Sequence, residues 1–282
     1  MTTFDPVRYK ETTREQWQTA AAAWNHWEPT IRHWVGPATE TLIDMMRIGP
    51  GASVLDVAAG SGSQTLALAA RVGAQGRVLA TDLSSNILEF AAHNARTAGY
   101  DNVTTKVMDG ENLAVEESSV DGVMCRLGLM YFPDQVKSLT DIRRVLKPGH
   151  RVGAMVFSTP EKNDFFSIPI SIIRRRAGLP SLAPGQPGPF SLGSGRLEEA
   201  FNKAGLKDVQ SRVVSAPLRM ASAAECVRFE KESFGALHQM LGGLDQAGKD
   251  EAWAEIEAAF RQHEKNGACE LSSELVIASA AR

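Results

Sequence analysis

Val54-Leu55-Asp56-Val57-Ala58-Ala59-Gly60-Ser61-Gly62-Ser63-Gln64 is the stretch on which the reading of this chain turns: a β-branched, apolar run passes into a loop of small residues and then into helix-forming sequence. Glycines at 60 and 62 remove Cβ atoms where the backbone must turn tightly and where a ligand can come close. The start of the following helix offers free N–H groups. That physics favours a nucleotide-like ligand. A dinucleotide site would continue to a third glycine, but the equivalent stretch here is Ser63-Gln64-Thr65, and Asp56 sits inside the strand ahead of the glycines. Both departures disfavour an NAD site, and with it NAD-linked oxidoreduction.

Outward from this loop, as far as Phe157, short apolar runs alternate with helix-length amphipathic stretches, the pattern of parallel βαβ units. Strands are expected at 53–58, 76–81, 103–107, 120–125 and 151–157. One helix is expected over 86–98, with Ile87, Leu88, Ala91, Ala95 and Ala98 near one face and Gly99 at its end, and another over 133–146, closed by KPG. Right-handed crossovers then give a doubly wound sheet. Beyond it, PSLAPGQPGPFSLGSG reads as a loop beside the site. A helix at 195–204, a strand at 207–217, two helical segments between 222 and 264 around GGLDQAGK, and a final strand at 271–280 complete the chain. Upstream, Trp17, Ala20, Trp24, Trp27, Ile31 and Trp34 recur at spacings of three and four, an apolar helical stripe that Pro29 must interrupt or restart. The stripe either packs on the sheet or a partner, or forms a lid whose aromatic rings enclose a ligand.

Asp82 follows the second strand, 22 residues after Gly60, where a carboxylate can accept hydrogen bonds from a ribose diol. Asp109, in VMDGEN, follows the third strand, where a carboxylate can receive an adenine amino hydrogen while the adjacent backbone reads the ring edge. Each alone could be a surface turn. Three acidic or glycine-rich loops at the carboxyl ends of successive parallel strands favour a ligand site, because open α/β sheets bind ligands along that edge.

Taken in order, these segments resemble the class I S-adenosylmethionine-dependent methyltransferases of the ubiquinone/menaquinone-biosynthesis-like (methyltransferase type 11) group, over about residues 49–157. VLDVAAGSGSQT is similar to the first motif, which implies Asp56 and the backbone of Ala58, Ala59, Gly60, Ser61 and Gly62 around the methionine part of the cofactor. VLATDLS resembles the second, which implies Asp82, with Leu83 beside it, on the ribose. KVMDGENL resembles the adenine motif, which implies Asp109 and Gly110. VDGVMCRLGLMYFPD and IRRVLKPGHRVGAMVFS resemble the strand-helix-strand close of the domain, with Gly149-His150 in place of the usual glycine pair after KPG. The NPPY or DPPY motif of amine methylation is absent, which argues against a nucleic-acid or protein amide target.

The resemblance implies a Rossmann-like, doubly wound α/β fold: a seven-stranded sheet, mostly parallel with an antiparallel C-terminal strand, in which 207–217 and 271–280 form the closing hairpin. It implies a helical lid at residues 1–48 and a methyltransferase domain at 49–282, with substrate-side insertions at 158–194 and 218–269. The implied cofactor is S-adenosyl-L-methionine, with S-adenosyl-L-homocysteine as product.

Methyl transfer from a sulfonium is an in-line displacement, so positioning the acceptor and excluding water can supply much of the acceleration without a covalent protein nucleophile. Arg126 could orient a substrate carboxylate or steady the cofactor's own. Tyr131 could hydrogen-bond the acceptor, and His33 (or His26) could take a proton from a phenol, enol or thiol. These three positions, His33, Arg126 and Tyr131, are the catalytic candidates. Cys125 reads as a small buried hydrophobe, and Arg174-Arg175-Arg176 as charges closing a helix C-terminus, with an anion clamp as the sharper alternative.

The chain has 282 residues, 43% hydrophobic and 22% charged, a globular composition sufficient for one large α/β domain or two small ones. No linker demands an independent second domain. No apolar run approaches the ~18 to 20 residues of a membrane span, and MTTFDPVRYKETTREQW lacks the cationic start and apolar stretch of a signal peptide. A soluble, cytoplasmic protein is expected. Thirty basic against 33 acidic residues leave a net charge of −3, which provides no overall positive field for nucleic acid. Cys125, Cys226 and Cys269 stand far apart with no zinc spacing, so neither a disulfide framework nor a metal site is expected. The expected activity is transfer of a methyl group to oxygen or carbon of a small, partly apolar acceptor. The alternative is a noncatalytic adenosylmethionine-binding or regulatory protein; N- or S-methylation and oxidoreduction are less favoured. The acceptor's identity and the oligomeric state are open, and a homodimer is compatible with the sequence.

Overall fold

The computed structural model describes residues 4–180, 186–193 and 195–282; residues 181–185 and 194 of the expected Pro- and Gly-rich loop lie outside them. Strands β1 (Ser53–Val57), β2 (Arg77–Asp82), β3 (Val103–Val107), β4 (Val120–Arg126) and β5 (Leu146–Phe157) are followed by β6 (Lys207–Ser215) and, last in the chain, β10 (Glu274–Ala281). They form a seven-stranded sheet of order β3-β2-β1-β4-β5-β10-β6. Only β10 runs antiparallel to its neighbours, pairing Ile277 with Met155 of β5 and with Arg212 of β6. This is the Rossmann-like architecture expected.

Burial follows position in the sheet. Val54, Leu55 and Val57 of β1, Val123 to Cys125 of β4 and most of β10 are buried, as strands covered on both faces must be. The edge strands differ: β3 is largely open, and β6 carries Lys207, Asp208, Gln210 and Arg212, polar residues that discourage pairing with another chain.

The helices are α1 (Pro6–His26), α2 (Glu28–Met46), α3 (Ser63–Val72), α4 (Ser85–Thr97), α5 (Gln135–Val145), α6 (Asp164–Arg176), α7 (Arg196–Lys203), α8 (Ala223–Ser233), α9 (Gly235–Met240) and α10 (Gln246–Arg261). The tryptophan-bearing segment is two helices meeting at Trp27. Pro29 falls in the first turn of α2, where no intrahelical N–H bond is lost. These two helices do different things. Ile31, Trp34, Val35, Ala38, Leu42 and Met46 of α2 are buried in the main core. The Met46 sulfur lies where a Cβ on Gly153 of β5 would sit, so a glycine in the strand makes room for the helix. α1 instead docks on α4: the Gln18 side-chain Oε1 accepts from Ser84 Oγ (2.7 Å) and Asn86 N (2.9 Å), and Asn94 Nδ2 donates to Asn25 (2.8 Å). A single lid over residues 1–48 therefore does not describe this region, because its second helix is a layer of the core.

Two expectations for the C-terminal part need correction. The helical region after residue 222 contains three helices: Asp245 inside GGLDQAGK accepts Gly248 N (2.8 Å) and starts α10, and a further break at Phe234, which leaves helical backbone at φ −113° and ψ 82°, divides the segment ahead of it into α8 and α9. The last strand begins at Glu274, and the residues ahead of it form β9 (Ala268–Leu271), which pairs with β7 (Leu218–Met220) and β8 (Glu264–Lys265) in a separate three-stranded sheet.

Candidate functional site

The strand order reverses between β1 and β4, where the loops leaving the two strands diverge and open a crevice. The loop after β1 is held by its neighbours. Ala59 N donates to Thr81 O (2.9 Å), and Gly60 N donates to Asp82 Oδ2 (3.1 Å). Ala58 (φ 58°) and Gly60 (φ 58°) both adopt left-handed backbone, which costs glycine nothing and alanine about 1–2 kcal/mol. A Cβ on Gly60 would approach Trp24 Nε1 to 3.2 Å. One cavity runs along this edge. It is lined by Ala58, Ala59 and Gly60 from the first loop, Asp82 and Leu83 after β2, Asp109 and Gly110 after β3, and Arg126 at the end of β4.

Asp82 is fixed by Gly60 N on one carboxylate oxygen and Ser84 N (3.0 Å) on the other, so each oxygen keeps acceptor capacity. Burial raises its pKa, and the backbone N–H groups oppose that shift without cancelling it. Asp109 Oδ1 accepts Glu111 N (2.9 Å), while Oδ2 meets Lys10 Nζ at 2.6 Å. Lys10, from α1, also pairs with Glu111. Burial works against the Lys10 charge, but hydrogen bonds from both carboxylates outweigh it and raise its pKa. The first helix is thus fastened across the carboxyl edge of the sheet at the end where Asp109 lies.

Three residues expected around the cofactor lie outside the cavity. The Asp56 carboxylate is buried and occupied within the protein, accepting Thr65 Oγ1 (2.6 Å) and Gln64 Nε2 (3.3 Å). Burial pushes it up to about 7, against those hydrogen bonds and the Arg126 charge. Gln64 itself lines the cavity and ties Asp56 to the Ala58 carbonyl (3.2 Å), so Asp56 braces the loop from behind. Ser61 is buried and gives its carbonyl to Asn94 (2.9 Å). Gly62 serves packing, since a Cβ there would come within 3.1 Å of Ala91 in α4.

The catalytic candidates separate in the same way. His33 is exposed on α2, on the side opposite Ile31, Trp34 and Val35, and does not line the cavity; His26 is also exposed. Neither imidazole is placed to take a proton there. Arg126 lines the cavity, donates to Thr39 Oγ1 (3.2 Å), and is lowered to about 10 by burial despite the nearby Asp56 and Glu28 charges, so it is a cation at neutral pH. Tyr131 also lines the cavity, and burial holds its phenol well above the usual range, so it is neutral. Cys125 is buried outside it, its thiol pushed up to about 12 by burial. Arg174 donates to the Pro180 carbonyl, Arg175 and Arg176 pair with Glu255, and Arg176 pairs with Glu251 (2.9 Å), so the three guanidinium groups are engaged within the protein.

The remaining wall is aromatic. Trp17 and Trp24 of α1, Trp34 of α2, Phe157, Phe166 and Phe234 face the same cavity. Trp34 stacks on Phe157 with centroids 5.9 Å apart and donates Nε1 to Ala216 O (2.7 Å). Phe166 meets Phe234 edge-on at 5.1 Å. The loop from 188 to 191 reaches this end: Gly188 N (3.0 Å) and Ser191 Oγ (2.7 Å) both donate to the carbonyl of Met130, next to Tyr131. Lys10, Gln64, Phe166 and Phe234 were not singled out from the sequence. Lys10 lies 99 residues from Asp109, a separation that no local spacing reveals. Among the described residues no group of three His, Cys, Asp or Glu could hold a metal ion, and no helix is long and apolar enough to cross a membrane.

Residues 33–171 match the ubiE/COQ5 methyltransferase family. A demethylmenaquinone methyltransferase of Staphylococcus epidermidis is 34% identical over 119 residues, 42% of this chain and 48% of that protein. The ubiquinone/menaquinone biosynthesis C-methyltransferase UbiE of Idiomarina loihiensis is 34% identical over 135 residues, 45% of this chain and 54% of that protein. The matches thus span about half the length of these relatives. In fold, the chain is similar to a SAM-dependent methyltransferase from Aquifex aeolicus, with a TM-score of 0.51 at 20% identity over 75% of this chain and 93% of the other.

Proposed function

We propose that this chain, which carries a class I S-adenosylmethionine-dependent methyltransferase domain of the ubiquinone/menaquinone group, transfers a methyl group to oxygen or carbon of a small, partly apolar, quinone-type ring. The observation that carries this reading is a cavity lined both by the polar loops at the switch point and by an aromatic wall.

The residues present fit S-adenosylmethionine. Asp82, with an open acceptor site on each oxygen, would hold the ribose diol. The backbone of Ala58 to Gly60, which a larger residue at 60 would obstruct, would receive the methionine part, with Arg126 as the buried cation for its carboxylate. Asp109 and Gly110 would meet the adenine, and Lys10 would then share Asp109 with its amino group. When bound, the cofactor supplies an electrophilic methyl on a sulfonium. The aromatic wall does the rest: it takes a flat apolar ring, excludes water and holds the reacting atom in line. Tyr131, neutral and at the wall, orients a polar substituent of the ring.

The test is calorimetric titration with S-adenosylmethionine and with NAD, followed by turnover on 1,4-dihydroxynaphthalene with the product's methyl position read by NMR. Binding of the sulfonium cofactor, no binding of NAD and a methylated ring are expected. Asp82→Ala should keep the fold and weaken cofactor binding by about 1–3 kcal/mol, the range for charge-assisted hydrogen bonds. Binding without turnover on any quinol would leave a noncatalytic adenosylmethionine-binding protein, and an unchanged affinity in the variant would remove Asp82 from the ribose.

A further inference from the structure

Two cavity-lining polar groups beside the loop after β1 have no partner in the fold, and their demands are opposite. Of the four N-terminal tryptophans, Trp27 donates Nε1 to Glu232 (2.8 Å) and Trp34 to Ala216 O (2.7 Å). Trp24 lines the cavity, and its Nε1 meets no acceptor among the described residues. The indole edge that carries this N–H is turned to the loop: a Cβ on Gly60 would lie 3.2 Å from Nε1 and 3.7 Å from Cδ1. Edge-on contacts with Trp17 (5.1 Å) and Phe234 (5.7 Å) hold the ring there. Gln64, 2% exposed, lines the same cavity. Its Nε2 donates to the Ala58 carbonyl (3.2 Å) and to Asp56 (3.3 Å). A backbone carbonyl only accepts, so the amide cannot be turned over, and its Oε1 receives no donor among the described residues. Some polar atoms of this fold are sealed without a partner, Ser273 Oγ for one, but Gln64 Oε1 is not; the open surface it keeps belongs to the cavity that Gln64 lines. Arg126, the buried cation of this cavity, donates to Thr39, and its other N–H groups meet no acceptor among the described residues.

We propose that Trp24 and Gln64 complete a receptor for the α-amino-acid zwitterion of the cofactor: Trp24 Nε1 joins Arg126 on the carboxylate, and Gln64 Oε1 accepts from the ammonium. This rests on the methyltransferase reading above. An N–H with nothing to donate to suits an anion, an amide oxygen with no donor suits a cation, and an α-amino acid carries both charges on one carbon. The two groups flank the backbone on which the methionine part would lie, since Gln64 is tied to Ala58 and Trp24 stands over Gly60. The loop itself is short of donors. Ala59 N is committed to Thr81 O (2.9 Å), Gly60 N to Asp82 Oδ2 (3.1 Å) and Gly62 N to Ala59 O (3.1 Å), so side chains must supply what the carboxylate needs. The hydrogen bond from Gln64 Nε2 to Asp56 holds the amide in place and draws electron density onto Oε1, which strengthens it as an acceptor. The N-terminal tryptophans therefore divide by their N–H groups: those of Trp27 and Trp34 fasten the fold, and that of Trp24 reads the cofactor. α1 is then part of the cofactor site as well as a wall for the acceptor, and the site selects an intact amino acid over adenosine alone.

The experiment titrates the parent, Trp24→Phe and Gln64→Met by calorimetry with three ligands: S-adenosylhomocysteine, its decarboxylated amine, which keeps only the ammonium, and 5′-methylthioadenosine, which has neither charge. Thermal melting of each protein accompanies the titrations. In the parent, affinity should fall at each step down this series by about tenfold or more, the weight of a hydrogen bond to a charged group. Trp24→Phe should weaken S-adenosylhomocysteine by about tenfold and leave the other two ligands within about twofold. Gln64→Met should weaken both amine ligands by about tenfold and leave 5′-methylthioadenosine unchanged. A packing role would move all three ligands alike. For either variant, an equal change across the ligands, no change in any of them, or loss of the cooperative melt overturns the assignment of that residue. A parent that binds 5′-methylthioadenosine as tightly as S-adenosylhomocysteine keeps its adenosine site and overturns the receptor. A parent that binds none of the three defeats the methyltransferase reading instead.

Discussion

At the scale of single residues, the loop after β1 separates the groups that face a ligand from those that shape the loop. Asp56 and Gly62 lie in the motif that drew attention first, yet one braces the loop from beneath and the other admits α4. Ala58 is the costly member, a non-glycine residue in left-handed backbone with its Cβ where one on Gly128 would stand, 2.4 Å away. Replacing it should relieve that strain. Ala58→Gly removes a left-handed alanine worth about 1–2 kcal/mol and adds the unfolded-state entropy of a glycine, about 0.5–1 kcal/mol. A variant about 1 kcal/mol more stable at most, never much less stable, is expected by chemical denaturation. A loss of more than about 1 kcal/mol would mean that the alanine Cβ packs better than its backbone suffers.

At the scale of elements, the N-terminal helices part company. α1 fastens across the site through Lys10 and to α4 through Gln18, while α2 buries Ile31, Trp34 and Val35 against the sheet. Deleting residues 1–26 should therefore leave a cooperative melt but abolish transfer, since Trp17 and Trp24 leave the cavity wall with it. Deleting residues 1–35 should destroy the cooperative melt, because it also removes four buried core side chains, Trp27, Ile31, Trp34 and Val35, with truncation of a large core side chain costing about 2–5 kcal/mol. Differential scanning calorimetry of the two truncations separates these outcomes, and equal melting of both would erase the distinction drawn between the helices.

At the scale of the whole molecule, stability should carry the mark of its buried acids. Asp56 titrates near 7 in the fold because burial outweighs its hydrogen bonds, against 3.8 for an ordinary aspartate. A carboxyl with a raised folded value stabilises the fold fully below its unfolded value, and that stability is lost as pH rises through the folded one. Asp121 and Asp208 act in the opposite sense. Asp121 is lowered by Lys147 and Ser53 N against a burial effect that raises it, and Asp208 is lowered by Arg151. Their contribution is present above about pH 4 and fades in stronger acid. The melting temperature of the parent, relative to Asp56→Asn, should fall between about pH 4 and 7. A constant difference across that window would show that Asp56 does not titrate there.

The doubly wound sheet and the polar loops of the site are legible along the chain. Strand periodicity, the small-residue loop at 58–62 and the acids at 82 and 109 are local signals, and parallel βαβ chirality converts them into one edge of one sheet. Which side of each element a residue serves is settled by packing. His33 looked like a base within an aromatic stripe but falls on the solvent side of α2, whereas Phe166 and Phe234 reach the cavity from segments with no motif. Lys10 finds Asp109 only because α1 docks over the sheet edge. Contacts between residues a hundred positions apart are set by packing of faces, and no spacing along the chain encodes them.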